Sequence, residues 1–170
     1  MKLSLLHIWF IVETLDNQVR DISFEFAKVA EYISAYGNTD MHYLVPCSAK
    51  SSSIEEFIRT SSCPVDLLLH PDLRYHQPML VADFIRKTID SEGPSLFFMC
   101  DTIRGASTAA YAAALAQAAF VPRVSGFSLD DGDVIERCRE AVRDRVRTGR
   151  WLNSGRSATP GDLVAADRDA

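Results

Sequence analysis

Short apolar runs of strand length alternate along this chain with stretches that have the period of an α-helix, and this alternation constrains the fold most. Strands that alternate with helices form a parallel sheet, because each helix carries the chain back to the same edge. We therefore expect a three-layer α/β/α domain with a mostly parallel sheet of about five strands. Its type would be flavodoxin-like or Rossmann-like.

The pattern also predicts where the elements lie. The predicted strands are residues 2–12, 41–46, 65–70, 94–100 and 122–129. The predicted helices are residues 22–36, 53–60, 78–92, 107–119 and a last one from about 130 to 146. Ser53 and Glu56 have the spacing of a capping box at the start of the second helix. Pro78 and Gly93 suit the start and the end of the third.

The length of 170 residues suits one domain with its own core. We assign residues 1–150 to a single α/β domain. Residues 151–170 are small and polar and have no period, so we expect a loosely ordered C-terminal tail.

Composition excludes several classes of protein. A net charge of −5 argues against a nucleic-acid surface, which needs clustered basic residues. The apolar run at the N-terminus is about ten residues long, too short to span a membrane. Cysteines without paired spacing, in a chain of this size, indicate reduced thiols, so we expect a cytoplasmic protein. They are Cys47, Cys63, Cys100 and Cys138.

Ligands of open α/β sheets bind at the carboxyl ends of the strands, which lie here at residues 13–17, 46–53, 70–76 and 100–108. The last segment is the strongest candidate. Arg104 and the amides of residues 102–106 could hold an anion at the start of a helix, after a turn that carries Gly105. Asp101 would orient the ligand, and Ser107 and Thr108 would supply hydroxyl groups.

The segment 70–76 is the second candidate, because one loop there carries His70, Asp72, Arg74 and His76. His70 is our first choice for acid–base work, and Asp72 and Arg74 would form the polar rim of a shared cleft. Histidine and carboxylate suit zinc or iron, but a complete site on one short loop is uncommon. We predict no metal site, and the sequence identifies no cofactor.

The segment "FFMCDTIRGAST" resembles three known patterns and departs from each. The ribose-phosphate loop of phosphoribosyltransferases has two acidic residues at the strand end, where this chain has Cys100 and Asp101. Rhodaneses and low-molecular-weight tyrosine phosphatases place an arginine six positions after the cysteine, whereas Arg104 is the fourth. Nucleoside deoxyribosyltransferases need a glutamate in the next helix, which is alanine-rich here. We therefore assign no family.

The leading hypothesis is a domain that binds a small anionic ligand, such as a nucleotide or sugar phosphate, at residues 100–108. The sequence leaves open whether the ligand is turned over. The first alternative is a non-enzymatic interaction module whose alanine-rich helix or C-terminal tail meets a partner protein or a second copy. The second is a thiol enzyme with Cys100 as nucleophile, since a helix N-terminus near Arg104 would lower its pKa while Asp101 would oppose this.

Overall fold

The computed structural model of the chain describes residues 6–35, 39–93 and 95–122 and the backbone of 163–166. The strands are β1 (Leu6–Ile11), β2 (Thr14–Leu15), β3 (Gln18–Val19), β4 (Thr39–Cys47), β5 (Val65–Leu69), β6 (Ser95–Met99) and β7 (Leu163–Ala166). The helices are α1 (Phe26–Ser34), α2 (Ser52–Thr60), α3 (Pro78–Glu92) and α4 (Ile103–Ala116). Short 3₁₀ helices cover Asp21–Glu25 and Pro71–Arg74.

Four parallel strands form the sheet, in the order β5-β4-β1-β6. This confirms the predicted α/β fold. Numbered along the chain, these strands have the order 3-2-1-4, which is that of the Rossmann-like rather than the flavodoxin-like alternative. Strand β7 pairs antiparallel with β6 at the edge. The predicted fifth strand, residues 122–129, lies outside the described residues apart from Pro122.

Side chains alternate between the two faces of the sheet, because successive residues of a strand point in opposite directions. Phe10 of β1 lies in a core cluster with residues of α1 and α2. Its neighbours Trp9 and Ile11 lie in a second cluster with residues of α3 and α4. Helices thus cover both faces, which confirms the three-layer arrangement.

Helix α4 begins at Ile103, four residues earlier than predicted. The cause is Thr102, which has an extended backbone and accepts a hydrogen bond from the Gly105 amide through its side chain. Gly105 therefore lies in the first turn of the helix and not in the turn before it.

The capping box predicted for Ser53 and Glu56 is wrong. Ser51 caps α2, since its Oγ accepts a hydrogen bond from the Ile54 amide. The Ser53 hydroxyl instead accepts from the Val19 amide, 3.0 Å away. A contact with a distant segment therefore determines the role of this serine.

A hairpin that the sequence analysis missed follows β1. Strands β2 and β3 pair antiparallel and are joined by Asp16 and Asn17. These two residues have positive φ angles of 49° and 59°. Two-residue hairpin turns of type I′ require positive φ at both central positions, which aspartate and asparagine tolerate better than most residues.

The C-terminal segment contributes β7, whereas the sequence analysis assigned no regular element to residues 163–166. The remaining residues of the predicted tail, and the predicted helix from about 130, lie outside the described residues. None of the described helices is long and apolar enough to cross a lipid bilayer.

Candidate functional site

A cleft opens where the strand order reverses, between the carboxyl ends of β1 and β6. The empty space there, which includes open solvent at its mouth, is about 450 Å³. Ligands of open α/β sheets bind in this crevice. Its polar lining includes Glu13, Thr14, Tyr75, His76, Gln77 and Arg104.

The carboxylate at this cleft is Glu13, which follows β1. Thr102 Oγ1 donates a hydrogen bond to Glu13 Oε2 at 2.5 Å and accepts one from the Gly105 amide at 2.9 Å. One hydroxyl therefore caps α4 and fixes the carboxylate beside the first turn of that helix. Glu13 was predicted only as part of a candidate strand end, residues 13–17, and its position after an apolar run was the available signal.

Asp101, which we expected to orient the ligand, is exposed and does not line the cleft. Strand β6 ends at Met99, and the chain then turns into the Thr102 cap, with the Thr102 amide bonded to the Cys100 carbonyl at 2.8 Å. The structure thus brings Glu13 to the cleft in place of Asp101.

Most of the backbone amides expected to hold an anion are already bonded. The amide of Thr102 donates to the Cys100 carbonyl, that of Gly105 to the Thr102 hydroxyl, and that of Ala106 to the Thr102 carbonyl. The first two amides of α4, those of Ile103 and Arg104, have no partner within the helix. The predicted set of five amides is therefore reduced to these two.

Arg104 is half-buried and lines the cleft, as the sequence analysis placed it. Within the described part of the chain, no carboxylate lies within ion-pair distance of its guanidinium group. Gly105 and Thr108 line the cleft beside it. Ser107, one turn after Ile103, donates a hydrogen bond to the Arg104 carbonyl at 2.9 Å.

The histidine of the cleft is His76, whose Nε2 lies 3.0 Å from Ser107 Oγ. Partial burial lowers the pKa of His76, and the positive charge of Arg104 lowers it further, while Glu13 acts in the opposite direction. His76 is exposed on its outer side. His76 therefore lies at the mouth of the cleft, where its pKa responds to the charges of Arg104 and Glu13.

His70, our first choice for acid–base work, does not line the cleft. Its Nδ1 accepts a hydrogen bond from the Asp72 amide at 3.2 Å, so the ring caps the 3₁₀ helix after β5. Asp72 is exposed beside it. Arg74 does not line the cleft either, because its Nε donates to Asp16 Oδ1 at 2.7 Å. His70 and Asp72 thus form a local helix cap, and Arg74 forms an exposed ion pair. None of the three residues lines the cleft.

Cys100 is 3% exposed, and its thiol lies in the core cluster under α1 and α2. Its Sγ is 3.8 Å from Ser23 Oγ. Burial raises the pKa of this thiol to about 12, opposed by the Ser23 hydrogen bond, and Glu13 raises it as well. The expected lowering by the helix N-terminus is thus outweighed by desolvation.

The hairpin β2–β3 holds two strand ends together, those of β1 and β4, at one wall of the cleft. Asn17 Oδ1 accepts hydrogen bonds from the Ser48 amide at 2.8 Å, the Ser48 hydroxyl at 3.0 Å and the Ala49 amide at 3.2 Å. The Thr14 hydroxyl donates to the Pro46 carbonyl. These bonds tie the segment after β1 to the loop after β4.

A second group of titratable side chains lies at the opposite, amino end of the strands. Asp40 contacts His7 and His42, each at 3.2 Å, and His42 also contacts Asp66 at 2.8 Å. These side chains bond to one another across β1, β4 and β5. Across the described segments, no three His, Cys, Asp or Glu residues are grouped so that they could hold a metal ion.

The chain matches no protein-family model, and a search of curated proteins gives no significant similarity.

Proposed function

We propose that this domain binds a small anionic ligand, such as a nucleotide or a sugar phosphate, in the cleft between the ends of β1 and β6. The observation that carries the proposal is the half-buried guanidinium of Arg104, which lines the cleft without a carboxylate partner in the described chain. Guanidinium groups bind phosphate and carboxylate through paired hydrogen bonds. The positive end of the α4 dipole supports an anion at the same place.

The lining also favours a ligand with hydroxyl groups. Glu13 donates no hydrogen bond when ionised, and one of its oxygens already accepts from Thr102. Its carboxylate would accept from a hydroxyl of the ligand, while Arg104 and the amides of Ile103 and Arg104 hold the anion. A phosphorylated sugar or a nucleotide carries both groups. Acid–base work on such a ligand would depend on His76, which replaces His70 in this role.

Thermal unfolding against a panel of nucleotides, sugar phosphates and inorganic anions tests the proposal. A ligand at a hundred times its dissociation constant stabilises the folded state by about 2.7 kcal/mol. We expect this shift in wild type and a much smaller one in Arg104→Ala. Arg74→Ala is the matched control, because it removes the same charge from outside the cleft. Equal shifts in wild type and Arg104→Ala would contradict the proposal.

The surface of α4 favours a second candidate function, a protein-interaction module. Ile103 is 92% exposed, and Tyr111 and Leu115 are also exposed on this helix. Arg104 is the only charged residue of α4, and exposed alanines lie between the large side chains. Self-association or partner binding through this face would bury them.

Sedimentation velocity of wild type and Tyr111→Glu tests this second candidate for a second copy of the chain. A dimer that dissociates in the variant would support it, and a monomeric wild type at high concentration would count against self-association.

A further inference from the structure

The hydroxyl of Ser107 lies within hydrogen-bonding distance of two groups, the Arg104 carbonyl and Nε2 of His76. A serine hydroxyl has a single proton to donate and two lone pairs to accept with. A carbonyl oxygen can only accept a hydrogen bond, so we assign that proton to the contact with the Arg104 carbonyl, 2.9 Å away. Ser107 Oγ can therefore only accept at its second contact, with His76 Nε2 at 3.0 Å. The proton of that contact belongs to Nε2.

The assignment leaves Nδ1 of His76 as the basic atom. A neutral imidazole carries one proton, so a ring with Nε2–H has a lone pair on Nδ1. Within the described residues, Nδ1 has no hydrogen-bond partner, in contrast to Nδ1 of His70, which accepts from the Asp72 amide. His76 thus presents an unused proton-accepting atom at the mouth of the cleft.

The charged groups around His76 oppose one another. Arg104 from α4 disfavours a proton on the ring, and Glu13 from the end of β1 favours one. Tyr75 and Cys100 are the other titratable residues of the lining, and the Cys100 thiol itself lies in the core. Partial burial and Arg104 together lower the pKa of His76, so both disfavour the protonated ring while the cleft is empty. An anion beside Arg104 would offset the contribution of the arginine to this lowering.

We propose that Nδ1 of His76 is the proton-binding atom of the cleft, and that an anion bound beside Arg104 is accompanied by one proton taken up there. The second part of this inference rests on the proposed function. The proton enters from solvent and adds to the Nδ1 lone pair, converting the imidazole to an imidazolium next to the anion. The affinity for an anion of constant charge then rises as the pH falls, by at most about tenfold per pH unit for one linked proton.

The protonation state of the ring is tested first, on the full chain without any ligand. Nitrogen-15 NMR of the histidine rings distinguishes a protonated Nε2 from a protonated Nδ1. We expect the Nε2–H form for His76 in wild type, and a mixture of both forms in Ser107→Ala, which has no hydroxyl to accept from Nε2. A predominant Nδ1–H form in wild type would overturn the inference.

Proton uptake is tested with sulfate, which keeps its charge in the range where histidine titrates. Dissociation constants are measured by NMR titration between about pH 7.5 and about pH 5.5. We expect tighter sulfate binding at the lower pH in wild type and in His70→Gln. His76→Gln, which keeps an N–H donor but takes up no proton, should bind sulfate with little dependence on pH.

The outcomes separate this inference from the proposed function. Sulfate binding that depends on Arg104 but has the same pH dependence in wild type and His76→Gln would overturn proton uptake and leave the anion site intact. A wild type that binds no sulfate at any pH would contradict the anion site and the coupling together. The NMR assignment of the ring proton stands or falls independently of either result.

Discussion

The α-carbon of Gly105 lies so close to Cys100 that an added Cβ would be 1.9 Å from the Cys100 carbonyl oxygen. Glycine is needed here because of this close approach of helix to strand end, since Gly105 has an ordinary helical backbone. The contact brings the first turn of α4 onto the end of β6, where both residues line the cleft.

Gly105→Ala should therefore destabilise the fold, although alanine is the better helix former. Overpacking against backbone atoms costs about 1–3 kcal/mol, because the neighbouring carbonyl cannot rotate away as a side chain does. Urea unfolding measures the change in the free energy of unfolding. Ala110→Ser, on the exposed face of α4, should have little effect by comparison. A stabilised Gly105→Ala variant would show that the helix is not held this closely.

Thr102→Val should remove both the cap of α4 and the hydrogen bond to Glu13. The loss of a threonine cap costs about 0.5–2 kcal/mol, because the Gly105 amide loses its acceptor. Thr102→Ser keeps the hydroxyl and should retain most of the stability. Urea unfolding gives both values, and NMR of the Glu13 carboxylate reports whether its position is kept. If Thr102→Val and Thr102→Ser lost the same free energy of unfolding, the packing of the Thr102 methyl group, rather than its hydroxyl, would be what stabilises the fold.

Asn17→Ala should destabilise the hairpin wall by about 1–3 kcal/mol, because two amides and a hydroxyl lose their shared acceptor. Asn17 also has a φ of 59°, which glycine adopts more easily than alanine. Asn17→Gly should therefore lose less stability than Asn17→Ala. Thermal unfolding of the two variants separates the hydrogen bonds from the backbone conformation. If both variants kept wild-type stability, the side chain would not hold the strand ends together.

Cys100 should resist alkylation in the folded protein, because burial raises the pKa of its thiol to about 12 and shields the sulfur. Half-buried Cys63 should react faster with iodoacetamide, as mass spectrometry of the labelled peptides would show. In urea, both should react at similar rates. Rapid labelling of Cys100 under native conditions would revive the thiol-enzyme alternative.

Stability should decrease in mild acid because of His76. Its pKa in the folded state is lower than the ordinary value of 6.5, so the unfolded chain binds the proton first as the pH falls. The free energy of unfolding then decreases as the pH falls through about 6.5, and the decrease ends below the pKa of the folded state.

Urea unfolding across this range, compared between wild type and His76→Gln, isolates the contribution of His76. The wild type should lose more stability on acidification than the variant, by a small amount because the ring is exposed on one side. A variant that loses more than the wild type would reverse the sign of the predicted shift.

Periodicity in the sequence was sufficient for the order of the four parallel strands and of helices α1 to α4, and for most of their positions. Observed β5 and α3 agree closely with the predicted segments 65–70 and 78–92. Burial of one face leaves a repeating apolar pattern in the nearby sequence, so such segments can be recognised without the fold. The choice of strand ends as the region for a ligand follows from the same parallel arrangement.

The sequence by itself determined the α/β class, and it predicted the region around residues 100–108, with Arg104, as the candidate site. Only the tertiary structure decided that β1 lies between β4 and β6, that His76 rather than His70 reaches the cleft, and that Glu13 replaces Asp101. The hydrogen bond that holds Glu13 comes from Thr102, 89 positions away. Periodicity reports the burial of neighbouring residues, whereas a cleft is made by side chains that strand order brings together across the chain.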